Sequence, residues 1–129
     1  MTNSTIANNT VIDQVPEDDV NPWIMIHDHK NGTPSNNCLI ANNIVFRSLS
    51  YNEGDVVASD NYIIGQENYD QVYELFADPV NFDMHLLQNA MTDSLIIDQG
   101  MVYDLVSSEI DKDKHARTVP PDLGAFEVH

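Results

Sequence analysis

Residues 39–46, LIANNIVF, repeat the pattern of residues 5–12, TIANNTVI, 34 positions further along the chain. A weaker third copy, SDNYII at residues 59–64, follows the second copy at a spacing of 18 positions. Each copy contains a short apolar strand, an asparagine-rich corner and another short strand of β-forming residues. Repeats with such uneven spacing indicate the coils of a solenoid that carry loops of different lengths.

The geometry of a sharp corner explains why asparagine is found there. A coil of parallel strands bends within one or two residues, and asparagine tolerates the left-handed backbone region better than most residues. Its side-chain amide can also hydrogen-bond to an asparagine stacked in the next coil, about 4.8 Å away. We therefore expect Asn9, Asn43 and Asn61 to occupy equivalent corners. The alternative is that they are ordinary turn residues in an asparagine-rich chain.

A further strand is predicted at residues 23–27, WIMIH. Strand alternation places Ile24 and Ile26 on one face and leaves Trp23 and His27 on the other. A loop with Asn-Gly and Thr-Pro pairs follows this strand, and further strands are predicted at residues 37–41 and 44–47. Helical periodicity is scarce, and a single helical turn at residues 71–76 is the only candidate.

The composition restricts the partners. The 129 residues include 5 lysines and arginines and 21 aspartates and glutamates, which gives a net charge of −16. This charge argues against nucleic acid, because phosphate neutralisation requires clustered basic residues. No apolar run approaches the roughly 18 residues of a membrane span, so no membrane insertion is expected. Cys38 is the only cysteine, and we expect it to be a buried small side chain rather than a reactive thiol.

Three motifs in the second half carry a resemblance to a known group of proteins. They are LFADP with FDMHL at residues 75–79 and 82–86, SLIIDQG at residues 94–100, and DKDKHAR with PDLGAFE at residues 111–117 and 121–127. In this order and spacing, they resemble the C-terminal region of bacterial secreted right-handed parallel β-helix proteins. That group includes polysaccharide lyases and relatives of mannuronan epimerases, and the resemblance covers residues 36–127.

The resemblance implies an all-β fold, a right-handed parallel β-helix of few rungs with an irregular C-terminal end. Residues 1–70 would form the rungs, and residues 71–129, which we call the closing segment, would cap them within the same domain. The protein would be secreted or at the cell surface. Leu95 stands where the group usually has proline, and Lys114 stands where it usually has glycine. If that turn requires a positive φ, Lys114 costs on the order of 1 kcal/mol.

The two ends of such a solenoid require different solutions. The last rung exposes apolar core and unpaired strand edges, and we expect the closing segment to cover both. The apolar residues available for this are Phe76, Phe82, Leu86, Leu87, Ile96, Ile97 and Phe126. The first rung, residues 5–15, has no neighbour above it. We therefore expect self-association, or contact with upstream β-helix rungs, through the N-terminal end.

The sequence has two arginines, and acidic residues stand on both sides of the second one, Arg117. We expect Arg117 to form a buried cluster with Asp122 and Glu127 that holds the tail. Asp111 and Asp113 are further candidates for this cluster. Their alternative role is a calcium site, because hard cations favour closely spaced carboxylates, although the complete calcium-loop pattern is absent. Calcium apart, no cofactor is expected.

The richest candidate for substrate binding consists of Trp23, His27, Lys30 and Arg47. Trp23 would stack on a sugar ring, while His27 and Lys30 would contact its polar groups. In uronate lyases and epimerases a base removes a proton beside a carboxylate, and an arginine such as Arg47 neutralises that carboxylate. The alternative is that the histidines are surface residues and that Trp23 packs under a loop. His27 and His29 also suggest a metal pair, but a third placed ligand is missing.

No complete catalytic constellation is evident in the sequence. In the resembled enzymes the active groove lies along the middle rungs, before the closing segment. We therefore expect a C-terminal, non-catalytic part of a carbohydrate-active β-helix protein with a polysaccharide as its partner. Any activity would be lyase-like, although a charge of −16 repels anionic polysaccharides. The alternative is a structural or adhesive cell-surface module.

Overall fold

The computed structural model describes residues 1–17, 23–52, 54–103 and 109–129. Most of its regular structure consists of short strands in parallel sheets, so the predicted all-β class is confirmed. The parallel strands are β1 (Thr5–Ala7), β2 (Thr10–Val11), β3 (Ile24–Ile26), β4 (Cys38–Ala41), β5 (Ile44–Phe46), β6 (Leu49–Tyr51), β7 (Val56–Ser59) and β8 (Tyr62–Ile64). They form three sheets, in the orders β1–β4–β7, β2–β5–β8 and β3–β6. The chain thus builds three layers, β1–β3, β4–β6 and β7–β8, which we call the strand stack.

The pairing register follows the sequence repeat. Thr5 pairs with Leu39, and Ile44 pairs with Thr10 on one side and with Tyr62 on the other. These partners are the residues that the 34- and 18-residue spacings align. All of these pairings are parallel, as predicted.

The third sheet was predicted only in part. β3 lies within the predicted strand 23–27, and Ile24 and Ile26 are buried while Met25 is exposed, as alternation requires. Its partner β6, Leu49–Tyr51, was missed. β6 has only three residues, Leu-Ser-Tyr, all half-buried, which is too short a stretch for the alternation of a strand to be recognised in the sequence.

Alternation divides the apolar residues of the strands between two cores. The first lies between the three sheets and contains Ile24, Ile26, Cys38, Ile40, Val45 and Val56. The second lies on the other face of the β2–β5–β8 sheet, where Ile44, Phe46 and Ile64 pack with residues of the closing segment. The closing segment contributes Val72, Leu75, Phe76, Ile96 and Leu123. Since this sheet is covered on both faces, β5 is a continuous apolar run, Ile-Val-Phe.

The closing segment combines short helices with one antiparallel strand pair. It contains α1 (Gln71–Leu75), β9 (Phe76–Asp78), a 3-10 turn at Pro79–Asn81, β10 (Asp83–Leu86) and α2 (Ala90–Leu95), and another 3-10 turn, Gln66–Asn68, precedes it. β9 and β10 pair with each other. α1 coincides with the single helical turn considered at residues 71–76. α2 was not predicted, although Asn89 and Thr92 form a reciprocal capping box at its start.

We expected the closing segment to cover the end of the stack; its described residues pack along the side of the stack. The N–H of Gly124 donates to the carbonyl of Asn42 (2.8 Å) in the second layer. The N–H of Ala125 donates to Oγ1 of Thr10 (3.1 Å) in the first. Within the described residues, no strand pairs with the outer edge of β7 or β8. Ile63, which points inward from β8 beneath Val45, remains 38% exposed.

The reason for this placement is the apolar outer face of the β2–β5–β8 sheet. Ile44, Phe46 and Ile64 are all fully buried there by the closing segment. Burial of a large aliphatic or aromatic side chain contributes about 1.5–3 kcal/mol, so this face is a strong docking surface. Some apolar residues considered for the end cap contribute little, and Phe82 is 73% exposed.

Asn9, Asn43 and Asn61 stack in one column, one in each layer. Oδ1 of Asn43 accepts hydrogen bonds from the backbone N–H (2.9 Å) and Nδ2 (3.0 Å) of Asn9. Oδ1 of Asn61 accepts the same two bonds from Asn43, at 3.0 and 2.8 Å. Nδ2 of Asn43 also donates to the carbonyls of Ala41 (2.9 Å) and Ile6 (3.1 Å). Asn43 is fully buried, and we call this column the asparagine ladder.

The left-handed residue at each corner is the one before the ladder. Asn8 and Asn42 both have φ 55°, and Asp60 has φ 50°. Each corner therefore uses two neighbouring residues. An asparagine or aspartate forms the backbone bend, and the asparagine that follows it forms the stacking hydrogen bonds. A second pair was not anticipated. Asn37 and Asn3, both with positive φ, are joined by a 2.7 Å bond from Nδ2 of Asn37 to Oδ1 of Asn3.

Replacement of the central ladder residue should destabilise the protein most. Asn43→Ala leaves buried carbonyls and N–H groups without partners, so we expect the free energy of unfolding to fall by about 2–3 kcal/mol. Asn9→Ala removes the same amide from the more exposed end of the ladder and should cost about 1 kcal/mol or less. Urea unfolding of both variants measures the difference. Equal losses would show that stacking in the buried layer has no special role.

Candidate functional site

An open cleft of about 610 Å³ is lined by residues from all three layers of the strand stack. It is lined by Trp23, Arg47, Ser48, Ile63, Gly65, Gln66, Glu67 and Asn68. The corner between β5 and β6 supplies Arg47, and the 3-10 turn after β8 supplies Gln66–Asn68. Trp23 enters the cleft from the start of β3, where its neighbour Ile24 is buried in the core.

Arg47 is held firmly at the floor of this cleft. Its backbone adopts φ 72°, and its N–H donates to the carbonyl of Ile64 (2.8 Å). The guanidinium carbon lies 5.4 Å from the centre of the Phe46 ring, within the range of a cation–π contact. One guanidinium nitrogen also donates to the carbonyl of Pro16 (3.0 Å), and so does Nε2 of Gln66 (2.8 Å). These contacts connect Arg47, in the second layer, to Pro16 in the first layer and to Ile64 in the third.

The structure divides the predicted substrate-binding residues. Trp23 and Arg47 line the cleft together, and Trp23 is 37% exposed. His27 and Lys30 are not among the lining residues. His27 lies on the outer face of the β3–β6 sheet, with Nε2 2.7 Å from Oγ of Ser50. Lys30 is exposed in the turn after β3.

The chemistry of the cleft suits a polyhydroxylated ligand. Its lining offers an indole face, a guanidinium, the carboxylate of Glu67, two side-chain amides and the hydroxyl of Ser48. Aromatic rings contact the apolar faces of sugar rings, while amides and charged groups hydrogen-bond hydroxyls. The amides of Gln66 and Asn68 were not anticipated, because nothing in the QEN sequence distinguishes it from an ordinary polar turn.

A second polar centre holds the tail around Arg117. Its guanidinium lies 3.1 Å from Oε2 of Glu127, and the two side chains are only 4% and 0% exposed. The other terminal nitrogen of Arg117 donates to the carbonyls of Gly124 (3.0 Å) and Ala125 (3.2 Å). Glu127 in turn accepts the backbone N–H of Thr118 (2.8 Å). A buried ion pair with this many additional hydrogen bonds is costly to break on one side.

Two buried aspartates extend this centre by accepting backbone N–H groups. Asp122 accepts those of Asp98 and Val128, both at 2.8 Å. Burial raises the pKa of Asp122; these two hydrogen bonds oppose the increase, and the carboxylates of Glu127 and Asp98 add to it. Its carboxyl therefore joins three parts of the closing segment.

The pKa of Asp111 is lowered, whereas that of Asp122 is raised. Burial tends to raise its pKa, but hydrogen bonds from the N–H groups of His115, Glu127 and Asp113 outweigh burial and lower it. The N–H groups of His115 and Asp113 lie 2.8 and 2.9 Å from Oδ1, and that of Glu127 lies 3.2 Å from Oδ2. The carboxylate of Asp111 is therefore ionised and fixed in position.

The two aspartates considered for calcium have different partners. Asp111 is buried and bound to backbone N–H groups, whereas Oδ2 of Asp113 lies 2.6 Å from Nε2 of His85. Among the described residues, one group brings three metal-ligating atoms within 4.8 Å of one another, namely Asp111, His115 and His129. This group could not be recognised from the sequence, because His129 is 14 positions from His115 and lies outside the three motifs.

His85 links β10 to the tail. Its ring is hydrogen-bonded to Asp83 through Nδ1 and to Asp113 through Nε2. The ring centre lies 4.2 Å from that of Phe126, and Nζ of Lys112 lies 5.0 Å from the Phe126 centre. Hydrogen bonds to the two aspartates raise the pKa of His85 and so favour its charged form. No role was predicted for this histidine from the sequence.

Comparison of the chain with protein-family models, with curated protein sequences and with solved structures found no match in any of the three. In the part of the chain that the structure describes, no helix is long and apolar enough to cross a membrane. The proposals below therefore rest on the residues and contacts of this chain.

Lys114 occupies a turn that favours glycine. Its φ is 70°, and its N–H donates to the carbonyl of Asp111 (3.1 Å). Lys114→Gly should raise the free energy of unfolding by about 0.5–1 kcal/mol, since relief of backbone strain exceeds the greater entropy of an unfolded glycine. Lys114→Ala removes the charge but keeps Cβ and should give no such gain. Equal stabilisation by both variants would assign the effect to charge.

Removal of His85 should destabilise the protein in a pH-dependent way. Since its folded-state pKa lies above the ordinary value of 6.5, the stabilisation is fully present below pH 6.5 and disappears as pH rises through the folded-state pKa. His85→Gln should therefore lower the urea midpoint at pH 5.5, modestly because the pair is partly exposed, and leave it unchanged at pH 9. His29→Gln, at another exposed histidine, serves as control. An equal loss for His85→Gln at both pH values would contradict this account.

Proposed function

We propose that the chain is part of a right-handed parallel β-helix that binds carbohydrate without acting on it, in a secreted or cell-surface protein. The observation that carries this proposal is the convergence of Trp23 and Arg47 in one open cleft beside the strand stack. The fold supplies the rigid support, and the cleft supplies the recognition chemistry.

The β-helix assignment is supported by the parallel layers and the asparagine ladder. Thr5, Leu39 and Val57 lie in one row of paired residues, as the coils of a β-helix require. Parallel strands joined by a crossover are right-handed in nearly all cases, which favours that hand. The antiparallel pair β9–β10 lies in the closing segment, outside the strand stack.

A neutral polysaccharide is the favoured ligand class. The net charge of −16 repels anionic chains at long range, and Arg47 shares the cleft with Glu67. Trp23 provides a flat apolar surface for a sugar ring, and the amides of Gln66 and Asn68 can donate to and accept from hydroxyls. A neutral polysaccharide can therefore contact these groups without bringing a further charge into the cleft.

Among its described lining residues, the same cleft has a cation, Arg47, but no lysine, histidine or tyrosine that could act as the base of a lyase. Uronate elimination requires a base and a cation that neutralises the substrate carboxylate. Of these described residues, Glu67 supplies the only carboxylate. His27 and Lys30 lie elsewhere on the surface. Binding without turnover is the role that these residues support.

A binding experiment tests this function. The chain is titrated against a panel of neutral polysaccharides, with alginate and pectin as anionic comparisons, by affinity electrophoresis and calorimetry. Trp23→Ala should weaken binding about tenfold, because stacking of this kind contributes about 1 kcal/mol or more. Phe82→Ala, at a highly exposed aromatic outside the cleft, should leave affinity unchanged.

Two outcomes would overturn the proposal. One is the absence of binding to every polysaccharide in the panel at millimolar sugar concentrations. The other is binding that Trp23→Ala and Arg47→Ala both leave intact. Absorbance growth from unsaturated uronate on alginate or pectin would instead establish lyase activity and refute the non-catalytic role.

A structural or adhesive module is the second candidate, and the strand edges favour it. Within the described residues, no strand pairs with the outer edges of β1 and β2, and Ile6 and Val11 of the first layer are only half-buried. Such edges can accept further coils from upstream sequence or from another copy. Concentration-dependent assembly in light scattering, combined with no glycan binding, would favour this candidate over the first.

A further inference from the structure

We propose that Asp111, His115 and His129 form a binding site for a divalent transition-metal ion of the zinc, copper or nickel type. The site lies in the closing segment, away from the carbohydrate cleft, and does not depend on the proposed function. It would join the turn at residues 111–117 to the last residues of the sequence.

The geometry brings the three ligand atoms close to one another. Nδ1 of His115 lies 4.0 Å from Oδ2 of Asp111, and Nε2 of His129 lies 3.9 Å from the same oxygen. All three ligand atoms lie within 4.8 Å of one another. Ligands at about 2.1 Å from a tetrahedral ion are about 3.4 Å apart, so a contraction of about 1 Å would complete the arrangement.

The two kinds of ligand have complementary mobility. The Asp111 side chain is 1% exposed and is fixed by backbone N–H groups, as an anchoring ligand should be. The side chains of His115 and His129 are 60% and 41% exposed, so their rings can rotate towards an ion. These rings already touch edge to face, with centres 4.7 Å apart.

The local backbone places these ligands together for reasons independent of any ion. The N–H of Lys112 donates to the carbonyl of Ala125 (2.9 Å), which aligns the 111–117 turn with the end of the sequence. The N–H of Asp111 donates to the carbonyl of His115 (2.9 Å), which closes the turn itself. The site is therefore preformed in the fold, and binding requires only side-chain movement.

The ligand set selects the class of ion. Two imidazole nitrogens and one carboxylate suit zinc, copper and nickel, whereas calcium requires six to eight oxygen ligands. Asp113 is engaged with His85 and does not supply the second carboxylate that a calcium site would use. The proposed site therefore keeps Asp111 from the expected calcium site but has His115 and His129 in place of Asp113. The proposed ion is a transition metal in place of calcium. The net charge of −16 adds a general attraction for cations.

The test is a titration of the full chain, freed of metal by a chelator, with zinc, nickel and calcium chlorides at pH 7.5. Calorimetry should give one zinc or nickel ion per chain and no calcium binding. His115→Ala and His129→Ala should each weaken binding at least tenfold, and the double variant should abolish it. His29→Ala is the matched control, because His29 is also exposed but lies outside the group.

Two further readouts distinguish binding at this site from nonspecific binding of the metal ion to exposed histidines. Zinc should raise the melting temperature of the wild-type chain in a concentration-dependent manner but not that of the double variant. Imidazole proton resonances of His115 and His129 should shift on zinc addition, while those of His27 and His29 stay unchanged. The proposal is refuted by no binding, by binding that both histidine variants leave intact, or by binding that His29→Ala abolishes.

Discussion

The buried polar groups at the corner of the strand stack must be satisfied, and the asparagine ladder is how the chain does this. A layer that turns sharply leaves backbone groups that its own strands cannot pair, and such groups are costly when buried. Asn43 meets this requirement in three directions: it accepts from Asn9 above, donates to Asn61 below and donates to the carbonyl of Ala41 in its own layer. The ladder thus sets both the corner and the register between layers. A one-residue slip would turn the inward side chains outward.

The closing segment depends on that register. Once β5 and β8 are aligned, Ile44, Phe46 and Ile64 form one apolar face, and the second half of the chain covers it. Asn42 lies next to the ladder with a left-handed backbone; its Nδ2 donates to the carbonyl of Met101 and its Oδ1 accepts the N–H of Met101. The ion pair of Arg117 and Glu127 fixes the last part of this cover. The proposed metal site lies within this cover, whereas the residues that line the cleft come from the layers that the ladder holds in register.

The strands were predictable from sequence to the extent that their pattern repeats. The echo of residues 5–12 at 39–46 specifies the pairing partners directly, because parallel register is a constant offset in numbering. Which face would receive the closing segment was not predictable, because apolar side chains such as Phe76 fit a sheet face as well as an open end. Asp111 was considered as a metal ligand from the sequence, but its grouping with His115 and His129 was not predictable, because only folding brings the three side chains together.

Consecutive layers of the strand stack pair in parallel and are joined by the asparagine ladder. Nuclear Overhauser contacts between backbone protons are the most direct test of this arrangement. The account predicts interstrand contacts that link Ile6 to Ile40 and Ile40 to Ala58, the residues paired across the three layers. It also predicts slow hydrogen exchange for the side-chain amide of Asn43. Interstrand contacts in antiparallel order, such as Thr5 with Ala41, or rapid exchange of that amide would contradict it.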